Sequence, residues 1–301
     1  MYAIEIRNLK KTFGSKTAVN GLDMTILVGA IYGFIGENGS GKSTTEKMIT
    51  GLMHPTSGSI RLYGKDCTDP RVRSRIGVLI EAPGCFPRMS VRSNMLLQAA
   101  NLGIKNPDSA IAKVLKTVRM EGAAANLYQN CSLGMKQRIG IAMALLGEPA
   151  LLVLDEPING LDADGMRIMR EVLVDITKDK QCTVLISSHI FGELEKIATH
   201  YGIIRKGRML REMTAAELTA HCRTYTVLRA KDTAKADTLL KRQYTHVTRE
   251  ENGDLRIYDS ADPADIAAYL YHSGVTVTEI TATKISLEEY YIDLMNDKEG
   301  A

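Results

Sequence analysis

Three short stretches of the chain are apolar almost throughout. They span residues 30–36 (AIYGFIG), 151–154 (LLVL) and 182–186 (CTVLI). A short apolar run without alternation is typical of a strand buried on both faces, as in a parallel sheet covered by helices. The pattern therefore predicts an α/β fold with these runs as central strands.

Helical spacing of apolar residues follows the first predicted strand and recurs three times before the second, at 151–154. Residues 42–53 carry apolar side chains at Met48, Ile49 and Leu52, which suits one face of a helix. Two further helices are predicted over 91–104 and 109–120. A fourth follows Gly134, because apolar residues recur at helical spacing after it.

Beyond Leu210 the pattern changes. Short alternating runs at 225–229, 245–249, 255–258 and 275–280 predict strands. Helices are expected over 232–240, after Asp262-Pro263, and after Ser286. The order β-α-β-β-α-β is that of a small α+β (ferredoxin-like) domain, and no catalytic constellation is visible in it.

Composition supports this division. The chain has 301 residues, which at about 150 per domain argues for two domains, and its 45% hydrophobic and 24% charged residues exclude disordered and collagen-like classes. Residues 1–210 hold 27 basic and 19 acidic side chains (net +8) and 22 of the 25 glycines, whereas 211–301 hold 11 and 16 (net −5). We therefore predict domains at 1–210 and 211–301.

The overall net charge of +3 does not indicate a nucleic-acid partner. Five widely spaced cysteines form no CxxC pair, so neither a disulfide framework nor a zinc site is expected. The N-terminus lacks the apolar segment of a signal peptide, and the most apolar stretch, 139–154, is interrupted by Glu148 and Pro149. A role at a membrane would therefore depend on a partner protein.

The segment after the first strand fits the phosphate-binding pattern GxxxxGK[ST]. It runs from Gly36 to Ser43, and its glycines allow backbone N–H groups and a helix N-terminus to face one anion. In this pattern Lys42 reaches the β- and γ-phosphates and the Ser43 hydroxyl binds Mg²⁺. The alternative is a glycine-rich turn that only caps a helix.

Acidic and basic candidates follow the other two strands. Asp155 and Glu156 come directly after 151–154, where Asp155 suits Mg²⁺ and Glu156 suits the base that polarises an attacking water. The alternative is that both serve only in a turn. His189 follows the third strand, where it is either a donor to the γ-phosphate or a structural residue.

Five motifs in order, GENGSGKST, CSLGMKQR, LLVLDEP, INGLD and SSHI, resemble those of the nucleotide-binding subunit of an ABC transporter over about residues 1–210. The resemblance implies a P-loop NTPase core with an antiparallel β subdomain and a helical subdomain at about 83–147. It also implies ATP hydrolysis by a head-to-tail dimer, a homodimer or heterodimer, that sandwiches two ATP molecules. Ser132 and Gly134 then face the ATP of the partner subunit, Asp162 lies in the loop crossing the dimer, and His189 acts on the γ-phosphate. Further ATP contacts are implied at Gly36, Glu37, Asn38, Gly39, Ser40, Gly41, Lys42, Ser43 and Thr44.

Three residues depart from the usual motifs of the family. Phe13 falls where the family places an adenine-stacking aromatic; the alternative is that it is buried under the N-terminal sheet. Leu133 replaces a signature glycine, and its side chain restricts how closely the backbone approaches a nucleotide. Glu81 replaces a glutamine that contacts the metal and the attacking water, so we expect it to act in catalysis and at Mg²⁺ unless it is a neutral exchange.

Glu81 and the run SLGMKQRIGIAMALL resemble the subfamily that exports bacitracin or lantibiotic-type peptides and confers self-protection. The resemblance implies an ATPase subunit, peripheral on the cytoplasmic face of the membrane, that uses ATP and Mg²⁺ with an integral membrane permease and a second ATP-binding subunit, most simply a homodimer. One alternative is a soluble ABC ATPase acting on nucleic acid or the ribosome. The other is an import ATPase with a regulatory tail, for which glutamine is expected at position 81. No nucleic-acid partner is expected.

Overall fold

The computed structural model describes residues 1–178, 182–221, 224–250, 252–259, 262–284 and 287–296. Cys222 and Ser286 lie outside this part of the chain. The strands are β1 (Tyr2–Phe13), β2 (Lys16–Leu27), β3 (Ile31–Ile35), β4 (Ser57–Leu62), β5 (Lys65–Asp66), β6 (Ile76–Leu79), β7 (Leu151–Asp155), β8 (Thr183–Ser188), β9 (His200–Arg205), β10 (Arg208–Thr214), β11 (Thr224–Ala230), β12 (Val247–Arg249), β13 (Leu255–Ile257) and β14 (Val277–Lys284). The helices are α1 (Lys42–Ile49), α2 (Pro70–Arg73), α3 (Val91–Asn101), α4 (Pro107–Thr117), α5 (Leu133–Leu145), α6 (Ala163–Thr177), α7 (Phe191–Leu194), α8 (Ala215–His221), α9 (Thr233–Gln243), α10 (Pro263–His272) and α11 (Leu287–Asn296).

The three apolar runs form neighbouring strands of a central sheet. Its order is β10-β9-β3-β8-β7-β6, with β9, β3, β8, β7 and β6 parallel and β10 antiparallel to β9. Every residue of β3, β7 and β8 is buried, as expected for central strands. The predicted α/β core is confirmed.

A second, antiparallel sheet has the order β2-β1-β4-β5. Its apolar residues, including Ile4, Met24 and Ile60, share one buried cluster with Tyr32 of β3 and Met48 of α1. This packing covers one side of the phosphate-loop region with a rigid layer.

The insertion between β6 and β7 is largely helical. α3, α4 and α5 lie there, with 3₁₀ turns at Glu121–Ala123 and Tyr128–Asn130. Serine side chains cap two of the helices: Ser90 Oγ accepts from Ser93 N–H at 3.0 Å, and Ser132 Oγ accepts from Met135 N–H at 3.3 Å.

One part of the helix prediction is wrong. α1 ends at Ile49, and the chain turns at Gly51, whose φ is +72°. Met48 and Ile49 are buried as expected, but Leu52 lies past the turn and is 66% exposed. The helical face therefore does not extend to Leu52.

The chain divides into two compact units, Met1–Ala215 and Ala216–Ala301. β10 belongs to the first unit because it pairs with β9. In the second unit the elements from β11 to β14 have the predicted order β-α-β-β-α-β, and the antiparallel sheet has the order β12-β13-β11-β14. The strand predicted at 275–280 is β14, which begins two residues later, at Val277, and extends to Lys284.

Helices α9 and α10 supply one side of the core of the second unit. Leu240 and Ile266 from these helices are buried in one cluster with Leu228, Leu255 and Ile257 from the sheet. None of the described helices in either unit is both long and apolar enough to span a lipid bilayer.

Candidate functional site

Four parallel strands of the central sheet end at one edge, and each is followed by a candidate segment. β3 leads into the phosphate loop, β7 into Glu156, β8 into His189 and β6 into Glu81. The strand ends are in register, because Ile35 pairs with Ser188 and Asp155 with Ser187. Ligands bind at such carboxyl ends in open parallel sheets, so the topology gathers distant sequence motifs at one place.

The phosphate loop, Gly36–Gly41, is shaped for glycine at its two ends. A Cβ at Gly36 would lie 2.5 Å from the carbonyl oxygen of Ile204, and Gly41 has φ +113° with a Cβ position 2.7 Å from the Ala18 carbonyl oxygen. A side chain at either position would clash with backbone. Ser40 Oγ is buried and has no hydrogen-bond partner among the described residues, which leaves a donor inside the loop for a ligand.

Lys42, the first residue of α1, turns its ammonium back over this loop. Nζ donates to the carbonyl oxygens of Gly36 at 2.5 Å and Glu37 at 3.1 Å, and the side chain is buried. The same Nζ lies 3.8 Å from Oε1 of Glu156. A cation held at a helix N-terminus is an arrangement that binds anionic groups.

Glu156 is held by the backbone of β8 and lies between the side chains of Lys42 and His189. It has the left-handed φ of +50°, and its N–H donates to Ser187 at both O (3.2 Å) and Oγ (3.1 Å). Oε2 shares a hydrogen bond of 2.7 Å with Nδ1 of His189, while Oε1 faces Lys42. A non-glycine residue keeps such a conformation only where its surroundings fix it, and the result here is a carboxylate that solvent still reaches, at 22% exposure.

Asp155 is buried at the end of β7. The Ser187 hydroxyl donates to its Oδ1 at 2.7 Å. Ser187 therefore orients both predicted carboxylates, Asp155 through its side chain and Glu156 through the backbone. The sequence analysis did not single out Ser187, although it lies in the SSHI motif.

Glu81 is turned toward α1. Its Oε1 accepts a hydrogen bond from Lys47 Nζ at 2.7 Å, and the Lys47 ammonium lowers the pKa of this carboxyl. The backbone of Glu81 has φ +67°. In this structure the carboxylate predicted to reach a metal is thus paired with a lysine that the sequence analysis did not consider.

Ser132 and Asp162 both cap helices. Ser132 is the N-cap of α5, and Asp162 Oδ1 accepts from Gly165 N–H at 2.8 Å as the N-cap of α6. Leu133 is 50% exposed and packs on the turn before α6, because a Cβ at Gly160 would lie 2.9 Å from its Cδ2. The described hydrogen bonds of these residues lie within their own helix starts and do not join the cluster of Lys42, Glu156 and His189.

Phe13 lies at the end of β1 and is 47% exposed, with Lys11 Nζ 5.1 Å from its ring centroid. The alternative that Phe13 is buried under the N-terminal sheet is wrong, because the ring lies at the hairpin end where the strand leaves the core. Its open face is available for stacking.

Comparison with known proteins decides the family. A family model described as ABC transporter matches residues 19–159. The bacitracin transport ATP-binding protein BcrA of Bacillus licheniformis is 37% identical over 297 residues, which cover 97% of each chain. This chain belongs to the ABC transporter family. It is an ATP-binding subunit with an ATPase core, as the motifs predicted.

Two further relatives of this ABC protein differ in extent. The lantibiotic transport ATP-binding protein SrtF of Streptococcus pyogenes is 40% identical over 209 residues, which cover 69% of this chain and 90% of SrtF. The solved structure of cbiO1 from Clostridium perfringens, part of the ABC transporter complex cbiONQ, matches with a TM-score of 0.67 at 25% identity, over 80% of this chain and 97% of that one.

Besides Ser187 and Lys47, a third residue near the site of this ABC protein was not predicted from the sequence. Glu46, on α1 one turn after Lys42, is fully buried, and neither carboxyl oxygen has a hydrogen-bond partner among the described residues. Burial, and next the charge of Asp155, raise the pKa of Glu46 well above its ordinary value of 4.5. The sequence signal for Glu46 was the presence of an acidic residue on the buried face of α1, between Lys42 and the apolar pair Met48 and Ile49.

The donors present fit Mg²⁺. Ser43 is half-buried at the start of α1, and Asp155 is held by Ser187 at the same edge of the sheet. Mg²⁺ commonly takes one or two protein oxygens and completes its shell with substrate phosphates and water, and these two oxygen donors meet that requirement. No group of three or more His, Cys, Asp or Glu side chains suited to a metal ion occurs in the described ranges.

Proposed function

We propose that this ABC protein powers the export of a peptide antibiotic of the bacitracin or lantibiotic type, or a similar amphipathic compound, through a separate integral membrane permease. The observation that carries the proposal is the match to BcrA over 97% of both chains, since it includes the C-terminal unit as well as the ATPase core. SrtF, named for lantibiotic transport, supports the same substrate class. The protein then acts as a peripheral subunit on the cytoplasmic face of the membrane.

In the proposed reaction, the phosphate loop and Lys42 bind the ATP phosphates, and Lys42 exchanges its carbonyl partners for phosphate oxygens. Glu156 polarises the water that attacks the γ-phosphate in line, and His189, 2.7 Å from Glu156, orients that carboxylate. Ser43, Asp155 and Glu81 are the candidate Mg²⁺ ligands. When bound, Mg²⁺ supplies positive charge against the phosphate oxygens.

The second half of each ATP site is proposed to come from another ATP-binding subunit, most simply a second copy of this chain. Ser132 and Gly134 begin α5, whose N-terminus suits an anion, and Asp162 begins α6. Phe13, exposed beside Lys11, is the proposed adenine-stacking residue. The exposed side chain of Leu133 takes the place of a signature glycine in this surface.

Replacing Ser132 by Ala is expected to lower ATP hydrolysis about threefold to tenfold while ATP binding to the isolated subunit is unchanged, because the hydroxyl acts on the partner's nucleotide. The same change removes a helix cap, which costs about 1 kcal/mol of stability. Ser90→Ala is the matched control, since Ser90 caps α3 in the same way and lies in no proposed site. Phosphate release and thermal unfolding separate the two effects; equal hydrolysis in both variants would exclude Ser132 from catalysis.

The permease is proposed to bind a groove of about 400 Å³ between the end of β6 and the helical insertion. Its lining includes the exposed apolar residues Leu52, Val78 and Leu102, together with Gln98 and Met143. An apolar groove beside the Glu81 loop suits an amphipathic helix. A helix seated there would touch the loop that carries Glu81.

The test is co-expression with any polytopic membrane protein that a neighbouring gene encodes, followed by co-purification. We expect Leu102→Asp to weaken association about tenfold, because a charge replaces a half-exposed apolar contact. Tyr271→Asp is the control, since Tyr271 is 76% exposed in the other unit. Resistance of the cells to bacitracin-type peptides should require both proteins. Association with RNA that weakens with salt, in place of a permease, would instead favour the nucleic-acid alternative.

A further inference from the structure

The ion pair between Lys47 and Glu81 links the last turn of α1 to the loop after β6. Lys47 follows Ser43 by four residues, so both side chains lie on the same face of α1, about 6 Å apart along its axis. Lys47 Nζ donates to Glu81 Oε1 at 2.7 Å. A lysine one turn from the proposed magnesium-binding hydroxyl therefore holds the carboxylate that is proposed to reach the same metal.

The sheet places Glu81 after the strand that neighbours β7. β6 pairs in parallel with β7, and Leu79 lies opposite Leu154, so Glu81 lies two residues past the end of β6 while Asp155 is the last residue of β7.

We infer that Lys47 is a positioning residue that keeps Glu81 paired with its ammonium one helical turn from Ser43 until ATP binds. The Mg²⁺ that arrives with ATP then replaces the lysine as the partner of this carboxylate. The inference rests on the proposed function, in which Glu81 is a metal ligand. Lys47 and the metal compete for Glu81, because two cations at one carboxylate repel.

The exposure of the pair makes the exchange feasible. The Lys47 side chain is 30% exposed and the Glu81 side chain 71% exposed. Exposed pairs of this kind shift an equilibrium by about fivefold at most. Lys47 can therefore keep Glu81 near the site without preventing a divalent cation from binding it.

The experiment measures the dissociation constant of fluorescent mant-ATP in EDTA and in saturating Mg²⁺. The ratio is the constant in EDTA divided by the constant in Mg²⁺. Lys47→Met is expected to raise this ratio about two- to fivefold, because Glu81 no longer has a competing cation. Loss of a positive charge weakens the binding of free ATP more than that of the less negative Mg-ATP, so a rise supports the inference only where it requires Glu81. Lys47→Arg, which retains the cation, should stay close to the unmodified protein.

Glu81→Gln supplies the second arm. It should lower the ratio, and Lys47→Met added to Glu81→Gln should have no further effect. Lys113→Met is the matched control, since Lys113 forms an exposed pair with Glu148 at 2.5 Å in the helical insertion and lies in no proposed site. Its ratio should be unchanged.

Two results would overturn the inference and leave the proposed ATPase site intact: an unchanged ratio in Lys47→Met, or an equal rise with and without Glu81. In the second case Lys47 would act on ATP directly. Failure of the unmodified protein to bind mant-ATP in either condition would contradict the proposed site itself, and the inference with it.

Discussion

Replacing Glu156 by Gln is expected to lower the steady-state rate of ATP hydrolysis by about 10² to 10⁴ and to leave ATP binding intact. The amide has the size of the carboxylate but cannot accept a proton from water. Binding is retained because the phosphate loop and Lys42 are unchanged. Removal of the negative charge 3.8 Å from Lys42 Nζ also leaves that ammonium freer for phosphate.

Phosphate release and mant-ATP binding check the two halves of this result. Glu195→Gln is the control, since Glu195 is an exposed glutamate shortly after His189 and should keep its rate within about twofold. His189→Ala should cost little more in a Glu156→Gln background, because the histidine acts through the carboxylate it touches. Near-normal hydrolysis by Glu156→Gln would remove Glu156 from its proposed role.

The sequence was sufficient for the parts of the site that follow from strand order. The apolar runs at 30–36, 151–154 and 182–186 form the parallel neighbours β3, β7 and β8, and parallel strands end at one edge. Residues that directly follow such strands in the sequence are therefore brought together, however the surrounding elements pack. For this reason Lys42, Glu156 and His189 meet as the motifs implied.

Contacts set by packing between elements were not predictable in the same way. The pairing of Glu81 with Lys47 depends on how the loop after β6 folds over α1, and no local pattern encodes that. The contact of Leu133 with Gly160 likewise joins two segments through tertiary packing. The sequence did not decide whether Phe13 is buried or exposed, since a strand end is compatible with both.

The second unit was predictable because its signals are local. Alternating strands, Asp232 and Asp262 at helix starts and a glycine turn at Gly253 each determine one element. The order of elements then restricts the sheet to few arrangements. The contribution of this unit to function has no such local signal, because its described part is built from packing residues and surface ion pairs such as Arg229 with Glu279.

Glu46→Met is expected to raise the free energy of unfolding of the nucleotide-free protein by about 1 to 3 kcal/mol at neutral pH. The carboxyl of Glu46 is fully buried with neither oxygen hydrogen-bonded among the described residues, and it lies near Asp155. Methionine has a similar volume and no polar atom to bury. Ionisation of Glu46 in the folded state is costly, and the substitution removes that cost.

The pH dependence identifies the cause. The pKa of Glu46 is raised in the folded protein, so above the ordinary value of 4.5 the folded state binds a proton that the unfolded chain has lost. The stability associated with Glu46 is therefore fully present below 4.5 and is lost as the pH rises toward the folded-state pKa. Glu46→Met should gain little near that lower limit and progressively more toward neutral pH. Urea unfolding in EDTA between about pH 5 and 8 measures this difference.

Glu46→Gln separates the charge from the volume of the side chain. It should lose the same pH dependence but gain less stability, because a buried amide still lacks partners. Glu121→Met, at an exposed glutamate, should change stability by no more than about 0.5 kcal/mol at any pH. If Glu46→Met were less stable than the unmodified protein throughout this range, the carboxyl would have to be partnered in the folded state, and Glu46 would stabilise the site around Asp155 instead of straining it.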